Sequence, residues 1–379
     1  MKTATRSGLL EIAGYFLRLG TTGFGGPVAL CGLMERDLVE RRGWFDKSQM
    51  RDMIAVCQTM PGPLAVQVAI FAGYTRRGFW GAWIAGWSLI LPASVMVAAL
   101  AAAYVHLHGL PWLAAVVYGV NPAVIALILH SWWRLLRLGM EDRFQYAVAT
   151  VALAATFVLP GMLAALFVGA GLLGTAWYTL QARRRNSGSR LFELASPLLI
   201  ATLAGYFLLT GAFTFGGGLA IVPLLEKGLV QQGHWLSHAE FLAAVAVGMV
   251  TPGPVMTAAT FAGYLVAGVW GAVICTIAIY LPSFVLVLFA APPLVRHRDS
   301  ALVQGFVKGA YAAAVGAILA AAILLGRRAI GDWVTACIAA ASLVALVRFR
   351  LANPVIVGLA AIVGWLAFQL LQPSWVLTQ

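Results

Sequence analysis

Glycine and proline interrupt the apolar segments of this chain at the same places twice, about 190 residues apart. Phe24-Gly25-Gly26-Pro27 returns as Phe215-Gly216-Gly217-Gly218, and Pro61-Gly62-Pro63 returns as Pro252-Gly253-Pro254, both at an offset of 191. Phe71-Ala72-Gly73-Tyr74 returns as Phe261-Ala262-Gly263-Tyr264, and Leu91-Pro92 as Leu281-Pro282, at an offset of 190. Glu35 and Trp44 recur as Glu226 and Trp235, and more than twenty identities link residues 14–92 to the second copy. Glycine and proline weaken or remove a rung of the helical ladder, and in hydrocarbon the freed N–H and C=O groups must find partners inside the protein. The chain therefore reads as two homologous halves, residues 1–181 and 193–379, joined by a polar, basic linker at 182–192.

Composition fixes the solvent. Of 379 residues, 61% are hydrophobic and only 10% charged, and mean hydropathy is +0.89, which excludes a soluble globular protein. A spanning helix needs about 20 apolar residues. Apolar segments lie near 9–33, 53–75, 79–105, 110–133, 144–159 and 161–180, and again near 194–225, 239–264, 268–294, 301–325, 333–347 and 354–371. None alternates like a barrel strand, so the class is an all-α polytopic membrane protein. The net charge of +12 comes from Lys and Arg in short loops, with no folded basic domain to hold nucleic acid; anionic lipid headgroups are the natural partner. The N-terminus does not read as a cleavable signal, because Arg18 interrupts its apolar stretch. Cys31, Cys57, Cys275 and Cys337 show neither metal nor disulfide spacing, and the six histidines suggest no metal site. No phosphate-binding loop and no nucleophile or paired-carboxylate set stands out, so neither an enzyme nor a cofactor is expected.

Loop charge bears on topology. If the Pro-Gly-Pro segment of each half enters and returns on one side, each half crosses five times and the second half is inverted. Eighteen Lys and Arg then fall on one face and five on the other, as a cytoplasmic face requires. A parallel arrangement with two re-entrant segments per half gives a similar bias. Inversion needs one such element per half and supplies alternating access directly. The expected fold is an inverted repeat with about ten transmembrane helices plus re-entrant or broken Pro-Gly-Pro segments.

The interruptions are the candidate chemistry. Three glycines in four residues followed by Pro27 end a helix, and N–H groups at the start of the next half-helix form a partly positive cradle for an oxyanion. Phe215-Gly216-Gly217-Gly218 offers a second cradle. The competing reading is close packing of helices at small residues. The prolines of Pro61-Gly62-Pro63 and Pro252-Gly253-Pro254 force tight turns. Gln58 and Thr251 beside them either donate to a ligand or satisfy freed carbonyls. Arg18 and Lys308 are lone cations within apolar segments, either facing an anion pathway or snorkelling to an interface. Position 18 maps to Leu209 and Lys308 to Tyr118, so a site using them is asymmetric.

The chain resembles the chromate ion transporter family. The resemblance rests on Leu19-Gly20 leading to Phe24-Gly25-Gly26-Pro27, on Glu35 with the basic stretch to Trp44, on Gln58 before Pro61-Gly62-Pro63, on Gly73-Tyr74, Gly78 and Gly81, and on the second-half copies. It implies a two-domain carrier of the bacterial inner membrane that exports chromate and recognises sulfate as an analogue. An alternative is a sulfate or other oxyanion carrier, including one working in uptake. The family's single-half members, acting as oppositely oriented pairs, favour inversion, and a homodimer is compatible with the reading. The second copy has Gly218 for Pro27 and Met249 for Gln58, so the two halves are expected to contribute unequally.

Overall fold

A computed structural model describes residues 8–24, 26–107, 111–158, 163–180, 199–212, 214, 221–291, 300–349 and 351–371, and every regular element among them is helical. The first half contains α1 (Leu9–Thr22), α2 (Gly26–Glu35, continuing as a π-helix over Arg36–Arg41), α3 (Lys47–Thr59), α4 (Leu64–Leu107), α5 (Pro111–Gly139), α6 (Arg143–Val158) and α7 (Leu163–Leu180). The second contains α8 (Leu199–Ala212), α9 (Ile221–Leu225, continuing as a π-helix over Glu226–Gln232), α10 (His238–Val250), α11 (Ala258–Val285, extended by Leu286–Ala290), α12 (Ala301–Ala329), α13 (Trp333–Val344, extended by Ala345–Phe349) and α14 (Asn353–Leu371). The linker at 182–192 lies outside the described residues.

The repeat extends to local geometry. Capping boxes start α3 (Asp46 with Gln49) and α10 (Ser237 with Glu240), satisfying the first orphan N–H groups in the same way. Asp142 with Gln145 and Asp332 with Thr335 do so for α6 and α13. The apolar segment at 9–33 breaks into α1 and α2, as its glycines require.

The length of α4 needs explanation, since 44 straight residues would reach about 66 Å, twice the hydrocarbon thickness. It folds back at Arg77 (φ −141°, ψ 23°) and Gly78 (φ 61°, ψ −148°), which brings Gly73 against Gly81 and Ala85. α11 folds back identically at Ala267 (φ −143°, ψ 28°) and Gly268 (φ 59°, ψ −148°), with Gly263 against Gly271 and the Thr260 and Thr276 hydroxyls 2.8 Å apart. α3 and the first limb of α4 form a second hairpin, since the Thr75 hydroxyl meets the Met53 sulfur at 4.0 Å. Its limbs of 13 or 14 residues are about 20 Å long, too short to cross alone, and the Pro-Gly-Pro turn is their tip.

Equivalent helices of the two halves pack antiparallel. Along α5 and α12, Tyr118 donates to Asp332 (2.7 Å), a side chain at Gly326 would approach Ile125, Tyr311 donates to the Leu135 carbonyl (2.8 Å) and Lys308 reaches Glu141 (2.6 Å). Numbers fall on one helix as they rise on the other. α7 packs on α12 and α14 on α5, through Gly174 with Gly309 and through Gly119 with Gly364, where the absence of side chains lets backbones touch. Among the described residues, Leu64–Leu107, Ala114–Arg137, Val255–Ala290, Gln304–Ala329 and Asn353–Leu370 are long and apolar enough to cross a membrane, and shorter apolar helices accompany them. The chain is a multi-pass, all-α membrane protein.

Candidate functional site

Each half offers two breaks in regular structure, and the fold joins them crosswise. The Gly62 N–H, at the first tip, donates to the Thr214 carbonyl just beyond α8 (2.6 Å). The Gly253 N–H, at the second tip, donates to the Gly23 carbonyl just beyond α1 (2.9 Å). Gly62 is equivalent to Gly253 and Gly23 to Thr214, so these two bonds exchange under the repeat, the signature of an approximate two-fold relation. Peptide groups that the prolines and glycines withdraw from helices thus satisfy each other across the halves.

Glycine is required at both tips. Gly62 has φ +132° and Gly253 φ +99°, a region that L side chains rarely adopt. Space excludes a side chain as well. A Cβ on Gly62 would lie 2.5 Å from Gln67 Nε2 and 2.7 Å from Ser283 Oγ, and one on Gly253 would lie 2.8 Å from the Ala93 methyl. Pro63, Pro252 and Pro254 are buried and Pro61 is half-buried.

Those neighbours reveal an asymmetry. Gln67 and Ser283 are fully buried, and their polar ends lie within about 5 Å of each other at the first tip. Gln67 Nε2 donates to the Pro61 carbonyl (2.6 Å), while Gln67 Oε1 and Ser283 Oγ have no hydrogen-bond partner among the described residues. Buried polar atoms nearly always find partners, so this pair marks a place built to meet something polar. The equivalent positions hold Thr257, whose hydroxyl donates to the Pro254 carbonyl (3.0 Å), and Ala93. Only the first tip carries the open polar pair.

The remaining expected site residues divide into those at the breaks and those elsewhere. Phe24 is exposed in the gap between α1 and α2, and Gly26 and Pro27 start α2. Gly25, Phe215, Gly216, Gly217 and Gly218 lie outside the described residues. Gln58 is exposed near the end of α3. Thr251 donates to the Val247 carbonyl (2.9 Å), which fulfils the reading in which it satisfies a freed backbone group. Arg18 is exposed on α1 about 7.5 Å in axial rise before Gly23, and its carbonyl accepts both the Thr21 and Thr22 hydroxyls (2.8 Å each). Lys308 is not brought to the tips. Its ammonium pairs with Glu141 beyond the end of α5, where its equivalent Tyr118 pairs with Asp332. Sequence reasoning missed Gln67, Ser283 and Thr214. An amide inside the apolar run at 64–73 was the available signal for the first. The other two looked like ordinary small polar residues.

A multi-pass helical protein whose two repeats exchange broken backbone at a shared, buried polar point has the architecture of a carrier rather than of an enzyme. Comparison with known proteins makes the class specific. The chromate transporter family model matches residues 10–175 and 201–365, one match per half. The chain is 40% identical to a chromate transport protein of Cupriavidus metallidurans, over 97% of this chain and 96% of that protein. It is 38% identical to a probable chromate transport protein of Synechococcus elongatus (94% and 95%) and 31% identical to a chromate transport protein of Pseudomonas aeruginosa (93% and 91%). No solved structure matches the chain. The chain belongs to the chromate transporter family.

Proposed function

We propose that this protein is a secondary transporter that exports chromate, a divalent tetrahedral oxyanion, across the bacterial inner membrane by alternating access. Its ten crossings are arranged as an inverted repeat. The observation that carries this reading is the crosswise pairing of Gly62 with Thr214 and Gly253 with Gly23, together with the antiparallel packing of the equivalent helices α5 and α12. An axis in the membrane plane reverses equivalent helices, whereas an axis along the normal would leave them pointing the same way.

In this reading the anion sits between the two tips. Backbone N–H groups at the start of α2 and the Ser283 hydroxyl donate to its oxygens, and Gln67 Oε1 accepts from a protonated oxyanion or its hydration shell. Gln58 and Arg18 stand at the approach to the first break. Rocking of one half against the other exposes first one tip and then the other. Neutral donors select charge and shape rather than the central atom, so sulfate is the natural competitor and a sulfate carrier is the second reading.

The test is chromate flux in proteoliposomes, with sulfate competition and an imposed proton gradient. Saturable chromate flux that sulfate inhibits is expected. Absence of chromate flux in either direction overturns the export reading, and sulfate flux without chromate flux selects the second.

A further inference from the structure

A cleft of about 1060 Å³ opens away from the tips, between the π-helical end of α9, the loop and first turn of α10, and the end of α12. Arg327, Arg328, His234, His238 and Gln231 line it. Four observations make it more than a gap between helices.

The first is the distribution of charge. In the ten-crossing topology this face carries five Lys and Arg, and three of them (Lys227, Arg327 and Arg328) belong to or adjoin this one cleft. The second is that its acids are already engaged. Glu240 caps α10 by accepting from the Ser237 N–H (2.7 Å), and Glu226 accepts from Gln231 Nε2 (2.8 Å) with His238 Nδ1 at 3.8 Å. Burial also pushes the Glu226 carboxyl above the ordinary carboxylate range, which favours the neutral form and leaves the arginines less compensated. The third is that Arg327 and Arg328 are exposed and make no ion pair among the described residues.

The fourth is strain. His234 has φ +49°, and no other non-glycine among the described residues has a positive φ. Its equivalent in the first half is Gly43, at φ +59°, which adopts that conformation freely. The backbone turn is the same in both copies, yet the second keeps an imidazole where glycine would relieve about 1–2 kcal/mol. A side chain held at such a cost is a pointer to function. It faces the same cleft as the two arginines.

We infer that this cleft is a second oxyanion site, a vestibule outside the membrane core in which Arg327 and Arg328 hold a tetrahedral dianion and the His234 and His238 rings donate to its oxygens. Its transport role rests on the function proposed above, whereas its capacity to bind the anion does not. Two exposed cations acting together are worth about tenfold in affinity, and they raise the local anion concentration before the central site is reached.

The experiment measures sulfate binding to the purified full-length protein by calorimetry, and chromate flux in proteoliposomes, for wild type, R327Q/R328Q, R327K/R328K and His234→Gly. Wild type is expected to bind two sulfates per chain, and R327Q/R328Q one. In flux, R327Q/R328Q raises the half-saturating chromate concentration about tenfold with maximal rate within twofold, and the lysine pair recovers most of the loss. His234→Gly relieves strain, so it folds at least as well as wild type and still weakens binding. Unchanged sulfate stoichiometry and half-saturation in both R327Q/R328Q and His234→Gly overturn the inference. A wild type without flux whose second sulfate site is lost on removing the arginines refutes the transport reading alone.

Discussion

Gly62 and Ser283 put the tip to a test that separates shape from chemistry. Gly62→Ala forces a Cβ into a region where φ is +132° and where Gln67 and Ser283 already stand within 2.7 Å. The backbone strain alone is about 1–3 kcal/mol, and the displaced tip loses its bond to Thr214. Ser283→Ala removes one hydroxyl that no protein group requires, so folding is expected to change little. Its effect falls on substrate. The half-saturating chromate concentration should rise about fivefold or more in vesicle flux, while thermal unfolding stays near that of wild type. Thr257→Ala in the second half is the control, because that hydroxyl donates to Pro254 and faces no open partner. Equal flux losses from Ser283→Ala and Thr257→Ala would show that the first tip has no special role.

At the scale of elements, what was legible in the sequence follows from periodicity and punctuation. The repeat, the broken first segment and the turn at each Pro-Gly-Pro all came from residues that cannot sit in a regular helix. The fold-back inside α4 and α11 was visible only as the apolar runs ending near 75 and 264, because a turn at a single Gly78 or Gly268 leaves little compositional trace. Lys308 shows the opposite failure. A cation in an apolar segment is a natural pathway candidate, but the helix carries it to the surface end of α5, a destination that depends on how α12 packs rather than on its own sequence. There it takes the place that Tyr118 takes with Asp332, one of two staples between the antiparallel helices. Both Lys308 and Glu141 are partly exposed, so the pair is worth about 1 kcal/mol or less. Lys308→Met should therefore leave chromate half-saturation within about twofold of wild type and lower the unfolding temperature only slightly. A rise of tenfold or more in half-saturation would return Lys308 to the pathway.

For the whole molecule, the decisive property is the direction of its second half. Reciprocal contacts between repeats define a two-fold axis but not its angle to the bilayer. That angle follows from the run of equivalent helices: α5 and α12 are antiparallel over most of their length, and both are apolar enough to span. If they cross the membrane, they cross it in opposite senses. The division of Lys and Arg, eighteen on one face and five on the other, then needs one fewer crossing per half than the number of apolar segments. The α3–α4 and α10–α11 hairpins supply it, since each turns back at its Pro-Gly-Pro after a limb too short to cross. Tags placed in the loops at 35–51 and 226–238 occupy equivalent positions in the two copies. They should report from opposite faces of the membrane in intact cells, with the 35–51 loop cytoplasmic. Finding both on one face would require a parallel repeat, and the antiparallel α5 and α12 could not then both cross the bilayer as continuous spans.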